Sequence, residues 1–214
     1  LAAQGIPAGP RPPQRTVRLV EDAIEMLTML AAPRSVFMEI TRRDFGAVFE
    51  GEGLNDSEAP LGGIYERSDG LALFAVTLGR AVSRQITDLF DSHEYAAGAM
   101  LDSTASESAE LAATSVERTF VSGLDAGFEA SMSFSPGYCG WHISAQKKLF
   151  ETLQPVDIGI TLTDTFLMQP LKSISGVIVA GRKEIFIFDD NFEFCSTCRT
   201  RTCRDRMNAI KKQV

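Results

Sequence analysis

The chain has 214 residues, 44% hydrophobic and 23% charged, with a formal net charge of -7. That length supports one sizeable core in one or two domains, and the acidic balance argues against nonspecific nucleic-acid binding by the whole surface. No apolar run reaches the roughly 18 residues that a membrane span needs. The opening residues lack a charged stretch followed by an apolar one, so no secretory signal is read and a cytoplasmic protein without membrane association is expected.

Pro7, Pro10, Pro12 and Pro13 remove amide donors from residues 1–15, which read as an extended arm. Val20, Ile24, Leu27 and Ala31 then fall at helical spacing from Thr16 onward, and Pro33 stops the helix. Residues 36–40 and 45–49 read as short strands around a charged turn, and 51–63 as a loop. The run from Leu71 to Gly79 is apolar nearly throughout and of strand length, which predicts a strand buried on both faces at the centre of a sheet.

Arg80 to Phe90 and Tyr95 to Phe120 follow as helices, the second rich in Ala and Ser. Small residues permit close approach, so this helix should cross the core. Glu107 and Glu110 lie three apart on one of its faces, which is ordinarily a solvated face. Residues 122–140 read as a loop, Ser144 as the cap of a helix running to about Leu153, and 174–180 with 185–188 as a hairpin across Gly181-Arg182-Lys183. Separated helices with hairpin-linked strands predict an α+β fold with a largely antiparallel sheet. The expected organisation is the arm at 1–15, an α+β domain at 16–190, and a cysteine-rich basic tail at 191–214 packed on that domain.

Within the predicted loop, Ser133-Phe134-Ser135-Pro136-Gly137-Tyr138-Cys139-Gly140-Trp141 joins a Pro-Gly bend to a phenol, a thiol and the only tryptophan. Proline holds φ near −65° and glycine tolerates positive φ, so the pair forces a sharp bend. Two readings are open: a packing turn anchored by Tyr138 and Trp141, or a bend that presents backbone amides beside the tyrosine to a small ligand.

The four cysteines are Cys139, Cys195, Cys198 and Cys203, the last three spaced C-x2-C-x4-C in a polar tail. Thiols two residues apart can chelate one metal. A tail folded back on the turn would let Cys139 complete a four-thiolate site, with His142 a spare ligand. Zinc as a structural staple and an iron–sulfur cluster passing an electron are both compatible with this spacing. Unligated thiols and, less suited to a reducing compartment, a disulfide are the competing readings. After position 198 six Arg or Lys residues face only Asp205, a basic surface that is either solvated or suited to an acidic partner.

Thr77-Leu78-Gly79, the Ala-rich helix with Glu110, Ser135-Pro136-Gly137-Tyr138, and Leu162-Thr163-Asp164-Thr165 through Met168, Pro170 and Ser173-Ile174-Ser175-Gly176 occur in the same order as in the activation domain of cobalamin-dependent methionine synthase. The chain resembles that family over roughly residues 65 to 190, and most closely its short stand-alone relatives with a C-terminal cysteine motif. The resemblance implies a twisted antiparallel sheet with helices that holds S-adenosylmethionine against the corrinoid of cobalamin (vitamin B12), with an electron from a flavodoxin- or ferredoxin-type donor. It implies that Tyr138 lies against the ligand or corrinoid, that backbone groups near Ser135 and Gly137 bond the ligand, and that Glu110 faces its cationic end. One position departs: Ser133 stands where the methionine synthases have an arginine that clamps the ligand carboxylate. Losing a charge-assisted bond of this kind costs about 1.5 to 3 kcal/mol, or roughly ten- to a hundredfold in affinity. Arg118 or Lys172 is a cation that could stand in for it.

No Asp-x-His-x-x-Gly corrinoid-ligand motif is present, since the only histidines are His93 and His142, so the cofactor must arrive with a corrinoid-binding protein or a split methionine synthase subunit. The expected function is an accessory of corrinoid-dependent methyl transfer acting in trans. The alternatives are a redox module that reduces a corrinoid partner through a cysteine-bound cluster, and a zinc-stapled docking protein. Cys139 and His142 lack a third orienting group for nucleophilic catalysis. The glycine pairs at 51–53 and 62–63 lack the lysine of a phosphate loop.

Overall fold

The computed structural model describes residues 12–124 and 128–187. It has α1 (Gln14–Leu30), β1 (Arg34–Glu39), α2 (Arg42–Glu50), α3 (Pro60–Tyr65), β2 (Gly70–Thr77), α4 (Arg80–Asp91), α5 (Tyr95–Ser122), β3 (Ala130–Phe134), α6 (Ala145–Leu153), the short pair β4 (Thr161–Leu162) and β5 (Met168–Gln169), and β6 (Ser173–Gly181). The main sheet has the order β1-β2-β6-β3. β3 and β6 are antiparallel, with Ala130 opposite Gly181 and Phe134 opposite Val177. Asp69 N–H donates to the Ala180 carbonyl and Leu78 N–H to that of Lys172, while Ile40 N–H donates to Leu71 and Ala32 N–H to Leu78. These bonds make β2 antiparallel to both of its neighbours. The fold is therefore the mixed helix and antiparallel sheet expected.

The chain forms two compact units. One takes in residues through Ser35 with Val76–Thr114 and Pro155–Ile174; the other takes in Val36–Ala75, Ser115–Gln154 and residues from Ser175. In the first unit Ala23 and Leu27 of α1, Leu78, Val82 and Ile86 around α4, and Leu101, Ala105 and Ala109 of α5 make one buried cluster. The alanines at four-residue spacing explain the close approach predicted for α5. In the second unit the interior is built on β2 and β6. Leu71 to Ala75 are each at most 4% exposed and Val177 to Ala180 fully buried, which is the two-sided burial that the unbroken apolar runs predict.

Several local expectations are corrected. Residues 45–49 are helix, not strand: Phe45 and Val48 lie three apart and are the buried residues of α2. The Thr41 hydroxyl caps the helix by accepting the Asp44 N–H at 3.1 Å. The loop expected at 51–63 ends in the short helix α3, and that at 122–140 contains β3, where Met132 and Phe134 are buried and Ser131 and Ser133 half-buried. The hairpin partner expected at 185–188 is a 3-10 turn over Lys183–Phe186, and β6 pairs with β3 instead. Ile185 and Phe186 are consecutive and both buried, which a turn allows and a half-exposed strand does not. Ser144 makes no side-chain cap for α6, because its hydroxyl lies 2.9 Å from His142 Nδ1.

Candidate functional site

The sequence motifs meet in pairs. In the first unit, Thr77-Leu78-Gly79 runs beside Pro170–Ser173. Leu78 N–H donates to the Lys172 carbonyl, and Thr77 Oγ1 accepts the Gly79 N–H at 3.1 Å and lies 2.9 Å from Ser173 Oγ. Gly79 has φ 89° at the start of α4, a left-handed position suited to glycine.

In the second unit the Pro-Gly-Tyr turn meets Ser175-Gly176. β3 delivers Ser133 opposite Ile178 and Phe134 opposite Val177, and a Cβ built on Gly176 would overlap the Phe134 carbonyl oxygen and fall 3.1 Å from Ser135 Oγ. Gly176 is thus the residue that lets the end of β3 come in, and it sets where the turn begins. Ser175 beneath it accepts a hydrogen bond from Gln146 Nε2 at 2.8 Å, both residues being buried.

The turn itself is stitched by its own backbone. Tyr138 N–H donates to Ser135 O, Gly137 N–H to Trp141 O at 2.7 Å, and Trp141 N–H to Tyr138 O at 2.9 Å. Gly137, Cys139 and Gly140 have φ of 94°, 52° and 74°. Three left-handed residues in four reverse the chain tightly, so one end of the turn is anchored and the other displayed. The anchor is Trp141, 1% exposed, edge-on to Phe45 at 5.7 Å and near Phe49, with Tyr65 edge-on to Phe45. Burial, with Glu66 and Glu50 nearby, pushes the Tyr65 phenol up. Asp56 N–H donates to the Gly140 carbonyl and His142 N–H to Asn55 Oδ1, tying the turn to the 51–59 loop. The displayed residue is Tyr138, 57% exposed.

The candidate ligand residues divide between the units. Ser133, Ser135, Gly137 and Tyr138 gather at the turn in the second, and Glu110 is exposed on α5 in the first. The Gly137 N–H is already engaged, so its contribution is conformational. Of the two cations proposed to replace the missing arginine, Lys172 is held by Asp102 at 2.8 Å and by Ser106 Oγ at 2.8 Å, whereas Arg118 is exposed. Sequence reasoning passed over Glu117, a buried carboxylate that accepts from Ser131 Oγ at 2.7 Å. Its signal was the position seven residues beyond Glu110, two turns along the same helix. Gln146 was missed too.

Cys139 is half-buried. His142 Nδ1 accepts the Ser144 N–H at 3.2 Å, which leaves only Nε2 to serve as the spare ligand considered from sequence. Cys195, Cys198 and Cys203 lie outside the described residues, among which no group of three or more His, Cys, Asp or Glu is placed to hold a metal. Among the same residues no helix is long and apolar enough to cross a membrane.

Comparison with known proteins gives two findings. A family model described as the vitamin B12 dependent methionine synthase activation domain matches residues 62–188. A crystal structure of the MetH reactivation domain bound to AdoHcy is similar at a TM-score of 0.54 and 16% sequence identity, covering 78% of this chain and 65% of that one, under two thirds of its length. No curated protein matches.

Proposed function

Since the chain belongs to the activation-domain family of vitamin B12 dependent methionine synthase, we propose that it is an accessory of corrinoid-dependent methyl transfer, acting in trans on a separate corrinoid protein. The observation that carries this reading is the display of Tyr138 on a turn whose position is set by Gly176 and whose other end is buried at Trp141. A rigid base with an exposed phenol suits a surface that holds a ligand against a partner's cofactor, because affinity is not spent on ordering the loop. In this reading the partner's cobalamin supplies the methyl-transfer chemistry, and the residues of this chain bind and orient. Tyr138 offers an aromatic face to a sulfonium or to the corrin edge, Ser133 and Ser135 offer hydroxyls, and Glu110 is the carboxylate proposed for a cationic group. With serine at 133, S-adenosylmethionine binds more weakly than in relatives that carry the arginine.

Calorimetry of the full chain with S-adenosylmethionine and with a cobalamin-loaded corrinoid protein tests this. Heat is expected with the corrinoid protein, and Tyr138→Ala should weaken that binding about tenfold or more, the loss of one aromatic contact at an interface, without altering the fold. Silence toward both ligands would remove the reading.

The cysteine set belongs to the same proposal: Cys139 at the displayed turn, joined by Cys195, Cys198 and Cys203, holds zinc or an iron–sulfur cluster. Protein purified without oxygen is expected to carry stoichiometric metal that falls sharply in Cys139→Ser. A visible band with iron would identify a cluster able to pass an electron to the corrinoid partner, zinc without one a staple. Metal-free protein with four reactive thiols would refute the site.

A further inference from the structure

We propose that the surface formed by the Pro-Gly-Tyr turn and the loop packed on it is an internal docking site for the chain's own basic C-terminal segment, residues 199–212. The surface joins two exposed apolar side chains to a rim of one charge. Leu54 and Tyr138 are 55% and 57% exposed, and Glu50, Glu52, Asp56 and Glu58 are exposed on either side of Leu54 in the chain. No Lys or Arg lies between Arg43 and Arg67, and among the described residues no cation forms an ion pair with these four carboxylates. Like charges held together build a negative potential that a cationic segment relieves.

The loop is fixed against the turn rather than free of it. A Cβ built on Gly51 would fall 3.1 Å from Ala145 Cα, and one built on Gly140 would fall 3.0 Å from the Cβ atoms of Asp56 and Ala59. Asp56 N–H donates to Gly140 O, and His142 N–H donates to Asn55 Oδ1 at 2.9 Å. Glu52, Leu54 and Asp56 therefore lie in a loop whose two ends rest on residues 140–145, directly after Tyr138 and Cys139 in the chain. A docking segment meets a surface that is already ordered, which lowers the entropic cost of the contact.

Charge, position and tethering select the occupant. After position 198 the chain carries Arg199, Arg201, Arg204, Arg206, Lys211 and Lys212 against Asp205 alone, with Met207 and Ile210 as apolar residues among them. These match an acidic rim around Leu54, and an arginine suits the exposed face of Tyr138. The described chain also ends close by. Its last turn, Lys183–Phe186, packs on α3, and Arg67 fastens the two by donating to Gly63 O at 2.9 Å and to Ile185 O at 3.3 Å. α3 is the helix into which the acidic loop runs, and its six residues span only about 9 Å. Twelve residues lead from Ile187 to Arg199, among them the acidic Asp189, Asp190 and Glu193, and an extended chain of that length reaches about 40 Å. A segment tethered within reach has an effective concentration in the range of about a millimolar, so it outcompetes a separate basic partner of equal affinity. The contact needs no metal, and it stands or falls apart from the cysteine site proposed above.

Limited trypsin digestion of the full chain tests the docking. Cleavage after Arg199, Arg201, Arg204 and Arg206 is followed by mass spectrometry alongside a synthetic peptide of residues 191–214. At low salt the segment in the intact chain is expected to be cut at least roughly tenfold more slowly than the peptide, and the difference should shrink several-fold near about 0.5 M salt, where exposed charges are screened. Glu52→Gln combined with Glu58→Gln should raise the low-salt cleavage rate roughly fivefold, as the loss of two exposed charge contacts would. Glu21→Gln combined with Glu25→Gln, at exposed positions of α1, should leave it as it was. A segment cut as fast as the peptide overturns the proposal and leaves the surface to a separate basic partner. So does protection that survives the loop variant; if Cys139→Ser or a chelator abolishes that protection, the metal site alone holds the segment. Protection that rises with protein concentration places the segment of a second copy on the loop and overturns it too. Protection that persists in metal-free protein and falls in the loop variant upholds the docking whatever becomes of the metal, and the salt response decides the matter should that variant not fold.

Discussion

Gly176→Ala is expected to lower the denaturant midpoint of the protein by an amount equivalent to about 3 kcal/mol, at the upper end of what overpacking costs. The reason is that the added methyl meets backbone rather than a side chain. At Gly176 it would overlap the carbonyl of Phe134, which belongs to β3 and cannot rotate away without breaking the register of Phe134 with Val177. Gly181 provides the internal contrast, because its methyl would approach Ile185 Cδ1 at 2.6 Å, the far end of a side chain that can change rotamer, and a smaller loss is expected there. Gly63 provides the other limit. It lies in α3 with nothing within 4 Å of a built Cβ, and Ala should be neutral or stabilising by up to about 1 kcal/mol through helix propensity. Urea melts of the three variants with a common slope would check the order. An unshifted Gly176→Ala would mean that β3 and β6 are not in the contact described. Whatever Gly176→Ala protein folds should also bind its partner less well, since moving the Phe134 carbonyl moves Ser135 and the turn that follows.

Ser133→Arg is expected to tighten S-adenosylmethionine binding roughly ten- to a hundredfold, the equivalent of about 1.5 to 3 kcal/mol for a charge-assisted bond to the ligand carboxylate. Ser133 is half-buried near the end of β3, two residues before the turn that bears Tyr138, and a half-buried position leaves a long side chain a route toward solvent. One feature of the site tempers the gain. Glu117 accepts from Ser131, which lies two residues away on the same face of β3, and its carboxylate competes for the guanidinium. Adding Glu117→Gln to the arginine variant should therefore raise affinity further. Ser133→Lys should recover only part of the gain, because an ammonium cannot form the planar two-point contact. Calorimetric titration reads all three. An arginine variant no tighter than the parent would mean that the ligand carboxylate does not lie near position 133.

Much of the framework was readable from the chain itself, and the failures share a cause. β2, β6 and α5 came out because each is long and has one unambiguous pattern: apolar throughout for the two buried strands, small residues at four-residue spacing for the helix. α2 was misread because Phe45, Val48 and Phe49 fill a window too short to separate strand from helix by apolar content. The deciding signal was Thr41 with Asp44, a cap rather than a periodicity. β3 was hidden by its own composition, since Ser-Met-Ser-Phe alternates correctly but carries too little apolar mass to stand out from a loop. The hairpin after β6 failed for a different reason: the true partner of β6 lies more than forty residues upstream, and non-local pairing leaves no mark on the local sequence. At the site, the bend at Pro136 and Gly137 was legible, while the sequence left open whether Tyr138 packs or is displayed. The need for glycine at 176 and the spending of the Gly137 amide inside the turn were not, because both depend on backbone brought together from distant positions.

The stitching of that turn has an optical consequence. Trp141 is the only indole in the chain, it is buried against Phe45 and Phe49, and its amide and carbonyl are bonded to Tyr138 and Gly137. Its ring nitrogen is buried without a hydrogen-bond partner among the described residues, so the indole emission of the protein comes from one buried, largely apolar environment. A displacement of the tyrosine passes through two backbone bonds to the indole. The chain thus carries its own fluorescent gauge of what happens at the displayed end of the turn, with no second tryptophan to dilute the signal.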